Sequence, residues 1–165
     1  MRITQVTVCY LLAHDPERGE MVLLGEKRTG LGLGKVVAPG GKLEAGESPA
    51  QACVREVAEE SGLEVRPEHL VPAGVLRYRF PNRPNWDQDS HVFVTRRFSG
   101  EASDSEELTL GWVPVGEIPL ERMWDDAKLW LPGVLTGERV ALDIEFAADN
   151  DTVERVVPSA EEPAS

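Results

Sequence analysis

Histidine and cysteine are scarce in this chain of 165 residues, which holds three of the first and two of the second. Cys9 falls in an expected strand and Cys53 in an expected helix, without the paired spacing of a metal knuckle. They read as two small apolar fillers, as suits a cytoplasmic chain. No apolar run is long enough to cross a bilayer. After Arg2 the chain enters the alternating stretch Ile3-Thr4-Gln5-Val6-Thr7-Val8 and not the apolar core of a secretory signal. Cytoplasmic location, without membrane, is the expectation. Basic residues are also in short supply, 17 Lys and Arg against 29 Asp and Glu, for a net charge of −12. Gripping duplex nucleic acid needs cations that displace counterions, so no such partner is expected. A single nucleotide remains open as a partner, because a divalent metal can bridge carboxylates to phosphates. Oligomeric state has no signature in the sequence.

What is present suffices for one domain, expected over residues 1–157, with the small and acidic stretch 158–165 as a disordered tail. Residues 3–12 read as a strand, Asp15 to Gly19 as a turn, and Met21 to Leu24 as the start of a returning strand. A glycine-rich loop, Thr29 to Gly34, precedes the brief strand Val36-Val37-Ala38. Ser48-Pro49-Ala50-Gln51 is a helix start with a capping box and proline in the first turn, and Gly62 is its stop. Ala50, Val54, Val57 and Ala58 give that helix an expected apolar face. Strands are expected over 70–80, 91–98, 108–113, 140–146 and 152–157. A second helix is expected over 125–135, with Pro132 bending or breaking it. Strands outnumbering two helices, without regular alternation, suggest an α/β sandwich on a mixed sheet.

The first helix carries the chemistry. Gly41, Glu47, Arg55, Glu56, Glu59, Glu60 and Gly62 are spaced G-x5-E-x7-R-E-x-x-E-E-x-G, with Val57 and Leu63 at the two aliphatic positions. At roughly 10% frequency per fixed residue, chance yields this pattern about 10⁻⁵ times in such a chain. Glu56, Glu59 and Glu60 stand at i, i+3 and i+4, so their carboxylates crowd one helix face and repel. Such a face is either solvated or holds hard cations such as Mg²⁺ or Mn²⁺. Glu47 before the cap, Arg55 as a tie between loop and helix, and the close approach allowed by Gly40-Gly41 favour a loop–helix–loop metal site. A metal there would orient a pyrophosphate and acidify an attacking water, whose proton a further carboxylate removes.

This spacing is the Nudix box, and the chain resembles Nudix hydrolases. The resemblance implies a Nudix-type α/β/α sandwich and makes Glu56, Glu59 and Glu60 metal ligands with the Gly40 carbonyl. Arg55 joins the catalytic set, and the general base lies among Glu59, Glu60 and Glu107. Glu107, just before the strand that ends near Trp112, is placed like a further metal-binding glutamate of the family. Beyond the box the chain looks most like MutT-type enzymes that cleave oxidised purine nucleoside triphosphates, such as 8-oxo-dGTP, to monophosphate and pyrophosphate. Leu23 to Arg28, Gly40-Gly41-Lys42, His91-Val92-Phe93, Ile118-Pro119, Met123-Trp124 and Trp130-Leu131-Pro132 carry that likeness. It implies that Trp124 stacks on the base, that Asp126 bonds the base edge, and that Thr7, Lys27, Gly41 and Lys42 lie along the nucleotide. As residues alone, Trp124 could equally be core, Asp126 a helix cap and Lys27 a surface charge.

Two positions depart from the MutT-type pattern: its base-reading asparagine falls on Val37, and the second of its paired aspartates on Ala127. Losing polar readers relaxes or redirects base discrimination. Trp86 or Asp87, in the loop after Phe80, are candidates to compensate. The same site would also serve ADP-ribose, a dinucleoside polyphosphate or a triphosphorylated RNA end. A sensor that binds nucleotide without cleaving it would be expected to have lost box carboxylates, and none is lost here.

Overall fold

The structure, a computed structural model, describes residues 3–160. Strand β1 (Thr4–Asp15) turns at Asp15, whose Oδ1 accepts the backbone N–H groups of Glu17 and Arg18 at 2.8 Å each, and β2 (Gly19–Lys27) runs back along it. Then come β3 (Val36–Val37), β4 (Gly40–Lys42), α1 (Pro49–Ser61), β5 (Val71–Arg79), β6 (Gln88–Thr95) and β7 (Leu108–Pro114). Helix α2 (Ala127–Leu135), β8 (Val140–Phe146) and β9 (Val153–Pro158) complete the order. The sheet runs β3-β2-β1-β6-β5-β8-β9, with β4 added to β1 and β7 to β2. The β1–β6 and β5–β8 pairs are parallel and the others antiparallel, so the sheet is mixed as expected.

The period-two alternation of β1 separates two cores. Cys9 and Leu11 pack with Leu23, Leu63, and with Cys53 and Val57 of α1. Tyr10 and Leu12 pack with Val22, Leu24, and with Trp130, Leu131 and Val134 of α2. One helix thus covers each face of the sheet, which is the expected α/β/α sandwich.

Helix α1 starts and stops where its local signals place it. The Ser48 side chain accepts the Gln51 N–H, the Gln51 side chain accepts the Ser48 N–H, and Gly62 takes the left-handed conformation at φ 77°. Its buried face differs from the expected one. Ala52, Cys53 and Val57 are buried together with Glu60 and Ser61, whereas Ala58 is exposed. Periodicity counts only apolar residues, and here two polar residues occupy part of the inward stripe. Pro132 lies within α2 without ending it. Gly40–Lys42, read as loop, is a strand because it pairs with Val6, Thr7 and Val8. β6 begins at Gln88, three residues early, through pairing of Gln88 to Ser90 with Tyr78 to Leu76. At the far end Pro158 closes β9 and the Ser159 N–H donates to Ala141 O at 3.0 Å, inside the stretch expected as tail. Residues 161–165 of that tail, and Met1 and Arg2, lie outside the described residues.

Ser48→Ala removes the reciprocal cap and should cost about 1 kcal/mol. A lower denaturant midpoint at unchanged slope is the expected reading, and an unmoved midpoint counts against the cap.

Candidate active site

A cleft of about 930 Å³ is lined by an acidic group of residues and an aromatic one. In the acidic group Glu56, Glu59 and Glu60 come from α1, Gly40, Gly41 and Lys42 from β4, and Glu107 from the residue before β7.

Arg55 does not line the cleft; it latches the preceding loop to the helix. Its Nε and Nη2 donate to the two oxygens of Glu47 at 2.8 and 2.9 Å, Nη2 also donates to Lys42 O at 3.0 Å, and Nη1 donates to Glu56 Oε1 at 2.8 Å. Such a bidentate, charge-assisted fork fixes geometry as well as charge. It holds the Glu47 carboxyl down to about 2. Glu59 is more exposed, with Oε2 at 3.3 Å from Arg55 Nη1.

Glu60 is buried, and its Oε1 accepts the Gly40 N–H at 2.7 Å. Burial pushes its carboxyl up to about 7; neighbouring Glu56 and Glu107 push the same way, while the Gly40 amide and Lys27 oppose. Burial also raises Glu56, against the pull of Arg55. The side chain of Glu107, exposed at the rim, accepts the Thr29 hydroxyl at 2.7 Å. Gly40 is required by close packing, and the absence of a side chain at Gly41 leaves room for the Glu56 carboxyl. A Cβ at Gly40 would stand 2.0 Å from Thr7 O, and one at Gly41 would stand 2.5 Å from the Glu56 carboxyl carbon.

Among the described residues no three carboxylate, imidazole or thiol side chains already converge as a closed cage. Glu56 is turned to Arg55 and Glu60 to a backbone amide. The donors are nonetheless all hard carboxylate oxygens, one of them buried with a neutral partner and repelled by two others. That set fits a divalent cation, which would offset both the burial and the neighbouring charges that raise Glu60.

In the aromatic group, Trp124 packs near-perpendicular to Phe80 and Phe146, at centroid distances of 6.1 and 5.6 Å. Lys35 Nζ stands 4.8 Å from the centre of the indole, away from the cleft lining, and pairs with Asp151 at 2.8 Å. Asp126 is 1% exposed. Its Oδ2 accepts the Tyr78 hydroxyl at 2.8 Å and Trp130 Nε1–H at 2.7 Å, while Oδ1 is buried without a partner. Burial pushes this carboxyl above its ordinary value. Although Asp126 immediately precedes α2, its side chain makes no capping bond, so the helix-cap alternative does not hold. Thr7 Oγ1 is a second buried, unpartnered polar atom on the cleft. Lys27, Val37 and Ala127 line the cleft as well.

The sequence-nominated residues therefore meet on one cleft except Arg55, its partner Glu47, and Asp87, whose carboxylate instead accepts the Phe80 N–H. Sequence reasoning missed Thr29, which steadies Glu107, and Tyr78 and Trp130, which hold Asp126. The i+4 spacing of Asp126 and Trp130 was a readable signal; Tyr78 and Thr29 are far in sequence from their partners and left none.

A mixed sheet lies between two helices, three glutamates of a loop–helix–loop line the cleft beside it, and the class of protein that matches is a pyrophosphohydrolase. The chain belongs to the NUDIX domain family, whose model matches residues 3–134. It is 35% identical to an oxidized purine nucleoside triphosphate hydrolase of Danio rerio, over 86% of this chain and 88% of the relative. It is 34% identical to the Mus musculus protein of the same description, over 87% of each. A crystal structure of a mutator MutT protein from Bacillus halodurans superposes with a TM-score of 0.76 at 27% identity, covering 96% of this chain and 99% of the other. Hydrolases of this family generally use divalent metals. No helix among the described residues is long and apolar enough to cross a membrane.

The Glu60 shift makes metal-free stability pH-dependent. Its folded pKa of about 7 lies above the usual carboxylate value, so between the two the folded state binds more protons than the unfolded. Stability of metal-free protein should therefore fall as pH rises from about 4.5 to about 7, and Glu60→Gln should flatten that slope. Melting temperatures measured in chelator across this range check it, and equal slopes in both proteins would refute the assignment. Separately, Gly41→Ala should displace the Glu56 carboxyl and lower turnover at least tenfold in steady-state assays, while the melting temperature moves by only a few degrees.

Proposed function

We propose that this protein hydrolyses nucleoside triphosphates to monophosphate and pyrophosphate with Mg²⁺, which Mn²⁺ can replace, and that oxidised purine deoxynucleotides such as 8-oxo-dGTP are its first substrates. The observation that carries this reading is Asp126. A buried carboxyl with one oxygen fully engaged and the other unpartnered on the cleft is a costly arrangement, and a base edge supplies the missing partner. The same cleft holds the carboxylate helix, so base and phosphates share one pocket. The description of the Danio rerio and Mus musculus relatives as oxidized purine nucleoside triphosphate hydrolases supports this reading.

In this reading Glu56, Glu59, Glu60, Glu107 and the Gly40 carbonyl hold the metal. Bound there, Mg²⁺ supplies charge neutralisation of the triphosphate and a more acidic water. Glu59, Glu60 and Glu107 are the carboxylates in reach of that water's proton. Arg55 keeps loop and helix in register. Lys27, Lys42, Gly41 and Thr7 lie along the nucleotide, Lys27 and Lys42 offering positive charge to phosphate oxygens. Trp124 stacks on the base, with Lys35 Nζ 4.8 Å from the centre of its indole. The chain acts through one catalytic domain, which includes β9 as far as Pro158, on the cytoplasmic nucleotide pool.

Val37 and Ala127 line the pocket without side-chain hydrogen bonds to offer, which favours a broader base range than two polar readers would permit. The test is therefore a panel of 8-oxo-dGTP, dGTP, other nucleoside triphosphates, ADP-ribose and a diadenosine polyphosphate, assayed for Mg²⁺-dependent pyrophosphate or phosphate release. Purine triphosphates are expected to give pyrophosphate at the highest kcat/KM. Binding without turnover of any member would overturn the enzyme reading, and preference for ADP-ribose would overturn the substrate. Glu59→Gln and Glu60→Gln should each lower turnover by about 10²-fold or more with the fold intact; unchanged rates in both would remove the metal-site assignment.

A further inference from the structure

The connection between β5 and β6 is an ordered wall of the cleft. Phe80 N–H donates to Asp87 Oδ1 at 2.7 Å across its base, Arg83 N–H to Phe80 O at 2.8 Å, and Trp86 N–H to Arg83 O at 2.8 Å. A 3₁₀ turn over Pro84–Trp86 fixes the tip. This turn places Asn85 and Trp86 on the cleft lining, whereas Arg83 lies off it with its guanidinium 4.8 Å from the Trp86 ring centre.

Phe80 joins the two tryptophans. It is buried, stacked on Phe146 at 4.7 Å, and packs near-perpendicular to Trp86 (5.6 Å, 82°) and to Trp124 (6.1 Å, 71°). Two indoles thus stand up from one phenyl floor, both on the cleft. Each also has a cation over its ring, Arg83 over Trp86 and Lys35 over Trp124, both at 4.8 Å and neither lining the cleft. The indoles themselves do line it, so they offer ring surface there to a ligand.

From this arrangement we infer that Trp86 is a second stacking wall of the base pocket, so that the protein grips a purine between two indoles. The inference rests on the reading of the cleft as a nucleotide site. It accounts for the loss of hydrogen-bonding side chains at Val37 and Ala127: stacking area, which every base offers and purines offer most, takes over part of the selection. Asn85 beside it brings both donor and acceptor to the rim, able to meet either edge polarity.

Binding of two product nucleotides, 8-oxo-dGMP and dCMP, measured calorimetrically with chelator present, tests this without reference to turnover. Trp86→Ala should weaken 8-oxo-dGMP about tenfold and dCMP less, narrowing the purine preference. Trp86→Phe, which keeps a ring, should recover most of the loss. The melting temperature of each variant guards against a collapsed loop, and with Trp86→Phe folded the comparison stands even where the alanine variant is not. Equal affinities across wild type, Trp86→Ala and Trp86→Phe would overturn the inference, as would equal losses for both nucleotides. Wild-type protein that binds the monophosphates through Trp86 yet cleaves no triphosphate would sink the proposed activity and leave the second wall standing. Wild-type protein that binds neither monophosphate would sink both.

Discussion

One guanidinium holds the acidic half of the site together. Arg55 lies within 3.8 Å of Glu44, 2.8 Å of Glu47, 2.8 Å of Glu56 and 3.3 Å of Glu59. Without it, four negative groups would share the junction of loop and helix, and the Lys42 carbonyl would lose its donor. The partial burial of this cluster makes the pairing worth more than a solvated surface pair and makes removal of the cation costly. The hold on Glu56 at the cleft and the tie of Lys42 and Glu47 to the helix both come from this one side chain. Glu60 is the group that Arg55 does not reach, which is why its charge is left to be satisfied by something else.

Strand β1 supplies the frame on which that latch works. Its first half pairs in parallel with β6 and antiparallel with β4, and its second half pairs with β2. The same strand thus fixes Gly40 and Gly41 against α1, contributes Thr7, Val8 and Tyr10 to the cleft, and separates the two cores. Acidic and aromatic groups come from segments far apart in the chain and meet on one cleft, which residues of β1 and of its parallel partner β6 also line.

The parts legible in the sequence are those written in local code. The capping box at Ser48 and Gln51, proline at position 49 and the left-handed Gly62 bound α1 to the residue. The glutamate spacing is likewise local, and so is the turn at Asp15. What escaped was decided by partners distant in the chain. Glu60 and Ser61 take places that an apolar count gives to Ala50 and Ala58, because the helix packs β4 and its own C-terminal loop as well as the sheet. Tyr78 holds Asp126 across 48 residues and Thr29 holds Glu107 across 78, distances at which a sequence offers no spacing to read. The parallel pairing of β5 with β8 is equally a product of the finished sheet.

Gly40 and Gly41 also set the terms on which this protein can diversify. A methyl group at Gly40 would meet the backbone of β1, and one at Gly41 would displace the carboxyl of Glu56. The first position is therefore closed to ordinary point substitution, and the second is open only at the expense of where that carboxyl stands. Val37, Ala127 and the tip of the β5–β6 connection stand under no such veto. Variation is channelled to the part of the cleft wall that the carboxylate helix does not supply, so that wall can be rebuilt while the glutamates keep their places.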